Sequence, residues 1–423
     1  MRKYLFLLLI TAAVAVGIPT QAQCMERIES YVNFINIQQL SAKEYVLNKL
    51  HEYDMVIICE RHHFDASQYD LFFQLAQDSW FQENVGHIFT EIGTVNSYPH
   101  LHNLLFNMPN LTTEELDKEI LKIVRNYSSD PIWLAWNYPN FIKRLYLLNE
   151  KLTIDRKIDL IPSDEWFDWN SIQSVKDLNE LNYGKYVNNV WHPVKDRDSV
   201  MYENIVIRFD SILQCSTRKK GLTILNFRHA FECNTHYGVS NDDIHYNTGK
   251  LLKDKYGNKI ASVYLNGLGY PVTLAEEEGY TLIQDGRWDA AFKIAGKHDV
   301  GFDFAGSPFS KDSVDLTPFS FSTDSLLFSD LFTGFVFYLP LKEHIQIYGM
   351  NGFVDDEFRI ELERRLKIYF ESEKIEGAPV EFLENMGIVL YNPISVSYDN
   401  LEEMEFVIDK IVEIYKKTNK FNN

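Results

Sequence analysis

Glu60 and His63 stand three residues apart at the end of the apolar run Met55-Val56-Ile57-Ile58-Cys59. A carboxylate and an imidazole at that spacing can pass a proton between them or ligate a divalent ion. Three groups of the same kinds close short apolar runs further along: Glu91 after Ile88-Phe89-Thr90, Asp164 after Leu160-Ile161-Pro162-Ser163, and His229 after Ile224-Leu225-Asn226-Phe227-Arg228. A single glutamate at such a place is more often a helix-cap partner or half of a salt bridge. Gathered at buried strand ends, such groups point to chemistry, because charges are rarely buried side by side without a use.

Other candidates surround this set. The charged turn Asp196-Arg197-Asp198 precedes the last of these runs. Asp198 reads as a helix cap, and Arg197 as a cation that reaches over the sheet edge to hold an anion or orient a carboxylate. His62 points away from His63 on an extended chain and reads as a pocket wall. Asp164 and Trp166, the latter in the aromatic loop Trp166-Phe167-Asp168-Trp169, are candidates for holding substrate, with core packing the commoner use of such aromatics. His87, His100 and His102 read as packing or surface histidines. No Gly-x-Ser-x-Gly, His-Glu-x-x-His or Gly-x-x-x-x-Gly-Lys motif competes. Gly267-Leu268-Gly269 reads as a turn.

These residues need a sheet to position them. The run over 55–59 is too short for a helix and rich in β-branched residues, so it reads as a strand buried on both faces. Similar strands are expected over 85–91, 159–164, 222–229, 260–265, 300–304 and 335–339. Helical spacing is expected over 39–53, after an N-cap at Asp65, over 111–125, 133–149, 197–213, 356–373 and 401–417. Strands separated by helices imply parallel crossovers, hence a three-layer α/β fold with a mostly parallel sheet flanked by helices. Ligands in such sheets bind beyond the carboxyl ends of the strands, where the acids and histidines fall. The expected division is a signal peptide over 1–22, an α/β domain over 23–345 with a helical insertion at about 98–152 as a candidate lid, and a C-terminal helical extension over 346–423.

The first 22 residues have a basic start at Arg2-Lys3, an apolar stretch and Ala22 at a cleavage site, the pattern of a secretory signal. Export to the periplasm or medium is expected; the second reading is a lipoprotein anchored through Cys24. Removal of the signal takes Arg2 and Lys3 with it and moves the formal charge from −19 to −21. So acidic a chain repels nucleic acid, and no later stretch is long and apolar enough to span a bilayer. Cys24, Cys59, Cys215 and Cys233 are too few for a disulfide framework; a Cys215–Cys233 bridge is one option.

The order of motifs resembles the erythromycin esterase family and its wider ChaN-like and TIKI-related relatives. Glu60-Arg61-His62-His63 is similar to that family's Gly-Glu-x-x-His element, and Glu91 to its second glutamate. Asp164 resembles the aspartate after its third strand. Arg197-Asp198-x-x-Met201-x-x-Asn204 resembles its helix start, and Arg228-His229 sits where its His-Asn-x-His strand ends. The resemblance runs over about residues 45–345, with Cys59 in place of a glycine and Asn226 in place of a histidine.

What the resemblance implies is an esterase-like hydrolase acting on an unknown small molecule. In it His63 activates water, Glu60 and Glu91 orient that base or share its proton, and His229 and Arg197 stabilise the oxyanion. No cofactor is required by that reading. The alternatives are a non-catalytic haem- or metal-binding protein and a degenerate interaction scaffold. In the former, His62, His63 and His229 would be haem ligands, or Glu60, His63, Glu91 and His229 would hold a divalent metal. The sequence leaves the oligomeric state open.

Overall fold

The computed structural model describes residues 21–180, 185–187, 190–192, 197–236, 244–269, 280–316, 326–387 and 391–421. The expected signal segment lies outside these up to residue 20. Seven strands form one sheet: β1 (Met55–Glu60), β2 (His87–Thr94), β3 (Asp159–Asp164), β4 (Gly221–Asn226), β5 (Ile260–Leu265), β6 (Asp299–Asp303) and β7 (Gly334–Tyr338). Their spatial order is β6-β7-β5-β1-β4-β2-β3. All neighbours are parallel except the edge strand β6, which runs antiparallel to β7. The expected mostly parallel α/β sheet is therefore the fold. β1 is central, and the chain leaves its carboxyl end toward β2 on one side and later reaches β5 on the other, which opens a crevice there.

The longer helices used below are α1 (Gln21–Ile37), α2 (Ala42–Glu52), α3 (Gln68–Ala76), α4 (Tyr98–Asn107), α5 (Thr113–Val124), α6 (Asn137–Asn149), α7 (Arg197–Cys215), α8 (Thr248–Tyr256), α9 (Arg287–Ala295), α10 (Asp356–Glu373) and α11 (Leu401–Phe421). Alternate residues of β1 face opposite ways. Val56 and Ile58 enter a core shared with α2, α3 and the α4–α6 insertion, through Leu50, Phe72, Leu104 and Phe141. Met55, Ile57 and Cys59 enter a second core with α1, α7 and α9, through Ile28, Ile35, Phe209 and Phe292. Both faces of β1 are thereby sealed, and the apolar run expected of such a strand follows.

Several expected boundaries move for local reasons. The helix after β1 starts at Gln68 rather than next to Asp65. Asp65 instead accepts from the Ser67 and Gln68 N–H groups at 2.9 and 3.3 Å across a turn. The helix expected over 133–149 begins at Asn137, since Asp130 accepts from the Ile132 N–H at 2.9 Å and holds 130–133 as a turn. α5 carries a capping box between Thr112 and Glu115.

The C-terminal extension is helical, as expected, and also contains an unexpected antiparallel ribbon of β8 (Gln346–Tyr348) and β9 (Ile394–Val396). Its α10 places Phe358, Leu362 and Leu366 in the core shared with the insertion. α11 packs Met404, Ile408 and Val412 beside Leu268, Ala290 and Leu341. Backbone bonds stitch segment 345–349 to the loops above the sheet: Ala66 N to Ile345 O at 2.7 Å, Ile347 N to Phe64 O at 3.0 Å and Gly349 N to Leu134 O at 3.0 Å. Among the described residues no helix is long and apolar enough to cross a membrane.

Candidate active site

β1 delivers Glu60 as its last residue, with His63 one turn beyond. The His63 Nδ1–H donates to Glu60 Oε1 at 2.7 Å, and Nε2 lies 3.5 Å from Glu91 Oε1. Glu60 is 2% exposed, and its Oε2 makes no hydrogen bond among the described residues. Burial raises the Glu60 pKa, with His63 opposing the rise. On His63 burial disfavours charge, but Glu91 and Glu60 on either side outweigh it and push the pKa up to about 10. The imidazole between two carboxylates is thus a proton holder at neutral pH.

Glu91 reaches the site because β2 bulges. Thr90 pairs with Pro162 and Thr94 with Asp164, so β2 spends extra residues between these pairs. Gly93 in that bulge has φ +97°, and a Cβ there would meet the Tyr138 hydroxyl at 2.8 Å. A bulge bends a strand and re-aims its side chains, and here Glu91 turns inward. Its Oε2 accepts from the Asn226 N–H at 2.7 Å. Oε1 lies 3.2 Å from Arg197 Nη2, 3.5 Å from His63 Nε2 and 3.6 Å from His229 Nε2. Burial works against ionisation of Glu91, but His229, His63 and Arg197 hold its pKa well below the ordinary carboxylate range.

Arg197 opens α7. Its Nε and Nη2 grip Asp164 at 2.8 and 2.9 Å, a fork-on-carboxylate geometry that fixes the guanidinium plane. Nη2 also donates to Glu91, and Nη1 donates toward His229 Nε2 at 3.4 Å. Asn204, two turns along α7, donates to the Ser163 and Asp164 carbonyls at 3.1 and 3.2 Å and ties the helix to the end of β3.

β4 ends at Asn226, and His229 sits on the 3-10 turn Phe227–Ala230, where Phe227 has φ +44°. The His229 Nδ1–H donates to Asp198 Oδ1 at 2.7 Å. Asp198 is fully buried and also accepts from the Thr248 N–H and hydroxyl at 2.8 Å each, and from Arg228. Burial opposes its charge, but Arg228, His229 and the α8 amide lower its pKa far below the usual range. α8 approaches closely enough because Gly249 packs on the Ala230 carbonyl, which a Cβ would meet at 2.6 Å. An ionised acceptor on Nδ1 fixes the proton there and leaves Nε2 facing the site.

No family model matches the chain. No curated protein matches it either. Its solved neighbours include an erythromycin esterase. That structure, a mutant of erythromycin esterase EreC in its open conformation, is similar to this chain at TM-score 0.43 and 10% identity, over 70% of this chain and 94% of that one. A Bacillus cereus protein is similar at TM-score 0.41 and 8% identity, over 73% and 96%. The chemistry below is read from the atoms of this site.

Of the residues read as erythromycin esterase-like motif positions, Glu60, His63, Glu91, Asp164, Arg197 and His229 come together. Asp164 faces Arg197 with both oxygens. His62 lies apart: its ring stacks on Phe64 at 5.4 Å and meets Tyr280 edge-on at 6.1 Å. Burial, then His63, lowers its pKa to about 4, so it is neutral at pH 7. Trp166 is half exposed, whereas Phe167 and Trp169 are buried in a small core with Ile172, Leu178 and Ile368. The aromatic loop is therefore core packing apart from Trp166. Both ring nitrogens of His63 and of His229 face protein groups. Among the described residues no group of three or more His, Cys, Asp or Glu side chains is placed to hold a metal ion.

Asp198, which the sequence suggests as a helix cap, also holds His229 Nδ1 and the Thr248 N–H. The signal for that role was present in the Arg-Asp pair at the start of α7 and the Arg228-His229 pair it meets. Asn226, a departure from the family pattern, uses its N–H on Glu91 and its side chain on the Arg61 carbonyl, joining the ends of β1, β2 and β4. Cys59 is fully buried, its thiol raised by burial and turned to the Phe227 carbonyl at 3.4 Å. Cys215 and Cys233 are free thiols, so the optional bridge is absent.

Proposed function

We propose that the chain is an exported hydrolase that directs water onto an ester or related bond of a small molecule, with His229 as the base and His63 as the acid. The observation that carries this is the contrast between the two imidazoles around Glu91. His63 is flanked by carboxylates at both nitrogens and holds its proton, so it suits donation. His229 also has a carboxylate toward each nitrogen, Asp198 at Nδ1 and Glu91 at 3.6 Å from Nε2, but its Nε2 is met by the Arg197 Nη1 donor at 3.4 Å and so presents a lone pair, which suits acceptance. This division reverses the one implied by the motif resemblance, in which His63 takes the proton.

In the proposed cycle, His229 Nε2 takes a proton from water as the oxygen attacks the acyl carbon, and Asp198 stabilises the imidazolium that results. Arg197 Nη1 supplies positive charge near the developing oxyanion. The carbon–oxygen bond to the leaving alcohol breaks as His63 delivers its proton to that oxygen. Glu91 Oε1, between the two rings, is placed to return the proton from His229 to His63. Asp164 keeps Arg197 in plane, and Glu60 keeps His63 oriented. Export rests on the amino-terminal pattern alone.

Screening the purified protein against an ester panel tests the reading. On the best ester, His229→Ala lowers kcat/KM by roughly 10²–10⁴-fold, the usual worth of a general base. Retention of more than about a tenth of the activity contradicts the role given to His229.

A further inference from the structure

We infer that the cleft between the 130–134 turn and the C-terminal extension is a subsite for an uncharged aromatic portion of the substrate, and that the extension supplies its discriminating wall. The inference deepens the hydrolase reading and rests on it. The cleft has a volume of about 620 Å³. Phe64, Trp133, Tyr280, Tyr348 and Tyr398 line it, together with aliphatic residues. Phe64 and Tyr348 already stack at 4.2 Å and 16°, presenting flat faces of the kind an aromatic ring packs against.

The cleft borders the reacting groups, although none of them is in its lining. Phe64 follows His63 directly, and the Trp133 ring lies 5.3 Å from the His63 ring. Tyr280 and Tyr398 line both this cleft and the hollow bounded by Glu60 and His62. The charge of the lining is one-sided: among the described residues it contains Asp130 and Asp399 and no Lys, Arg or His. An aromatic group bearing a carboxylate would therefore be repelled, and its charge would lose water without gaining a partner. Tyr348, Val396, Tyr398 and Asp399 all belong to the extension, which makes that segment part of the site and not only a brace.

The test uses the full chain and three acetates whose leaving alcohols have similar acidity: benzyl, propyl and 4-carboxybenzyl. Wild-type protein should favour benzyl over propyl acetate, and disfavour 4-carboxybenzyl acetate, each by about tenfold in kcat/KM. Tyr348→Ala should collapse the benzyl-to-propyl ratio through KM, while Tyr348→Phe keeps it; Asp399→Asn should narrow the penalty on the carboxylate. An unchanged ratio in Tyr348→Ala, or equal turnover of the carboxylated ester, overturns the subsite. If no ester is hydrolysed, the hydrolase reading fails separately. Benzyl alcohol binding by ligand-observed NMR then decides the subsite: a signal in wild type that Tyr348→Ala removes upholds it, and no signal in wild type refutes it.

Discussion

Arg61, just after β1, and Arg197, at the start of α7, both lie at the carboxyl edge of the sheet and both are ringed by acceptors. Arg61 is 3% exposed. Its Nε donates to the Asn266 carbonyl at 2.6 Å, Nη2 to Asn266 Oδ1 at 2.8 Å and to the Tyr338 carbonyl, and Nη1 to Asp65 and Ser67 at 3.2 and 3.3 Å. It fastens the ends of β1, β5 and β7 together. Arg197 is about a quarter exposed and divides itself between Asp164, Glu91 and His229. A buried cation bonded to backbone carbonyls, neutral side chains and one carboxylate is a brace, whereas a partly open one shared among titratable groups can act on a ligand.

Substitution of the two arginines tests this contrast most severely. Arg61→Met leaves Asp65 buried without its cation and should cost about 3–5 kcal/mol in urea denaturation. Arg197→Met should cost clearly less stability and lower kcat/KM by roughly 10²–10³-fold, as loss of one preorganised donor does. Equal destabilisation by both would erase the distinction between brace and working group.

Asp198→Asn should have the next largest effect. It removes the charge that fixes the His229 tautomer while nearly keeping the shape, so kcat should fall by roughly 10²-fold with KM little changed. A fall confined to KM would instead mean that Asp198 only shapes the pocket. The smaller effect is on stability against pH. His63 keeps its proton to about pH 10 in the fold, against 6.5 for a free imidazole. Its contribution is complete below about pH 6.5 and is lost as pH rises through about 10, because the unfolded chain binds fewer protons in that window. Denaturation midpoints from pH 6 to 10.5 should decline, and His63→Gln should flatten the decline.

Much of the sheet was legible because its strands are short apolar runs rich in β-branched residues, and Glu60, His63, Glu91, Asp164 and His229 were legible as their terminators. Less visible was anything that depends on register or on distant partners. The bulge that turns Glu91 inward exists only relative to β3. Asp198 looks like a cap until Thr248 and His229, far along the chain, are brought to it. The reversal of β6 leaves no mark in a strand of five residues. Aromatic content could not separate the buried Phe167 and Trp169 from the cleft-lining Trp133 and Tyr348, since both uses need the same side chains. The ribbon that carries Tyr348 is only three residues on each side, too short for a periodic signal.

The assignment of acid and base is the claim on which the rest depends, and a pH–rate profile addresses it directly. With His63 as the acid, kcat/KM on the best ester should stay level through neutral to mildly alkaline pH and fall as His63 loses its proton near pH 10, and His63→Gln should abolish that fall. If His63 is instead the base, kcat/KM will climb about tenfold per pH unit toward pH 10, and that result would contradict the account.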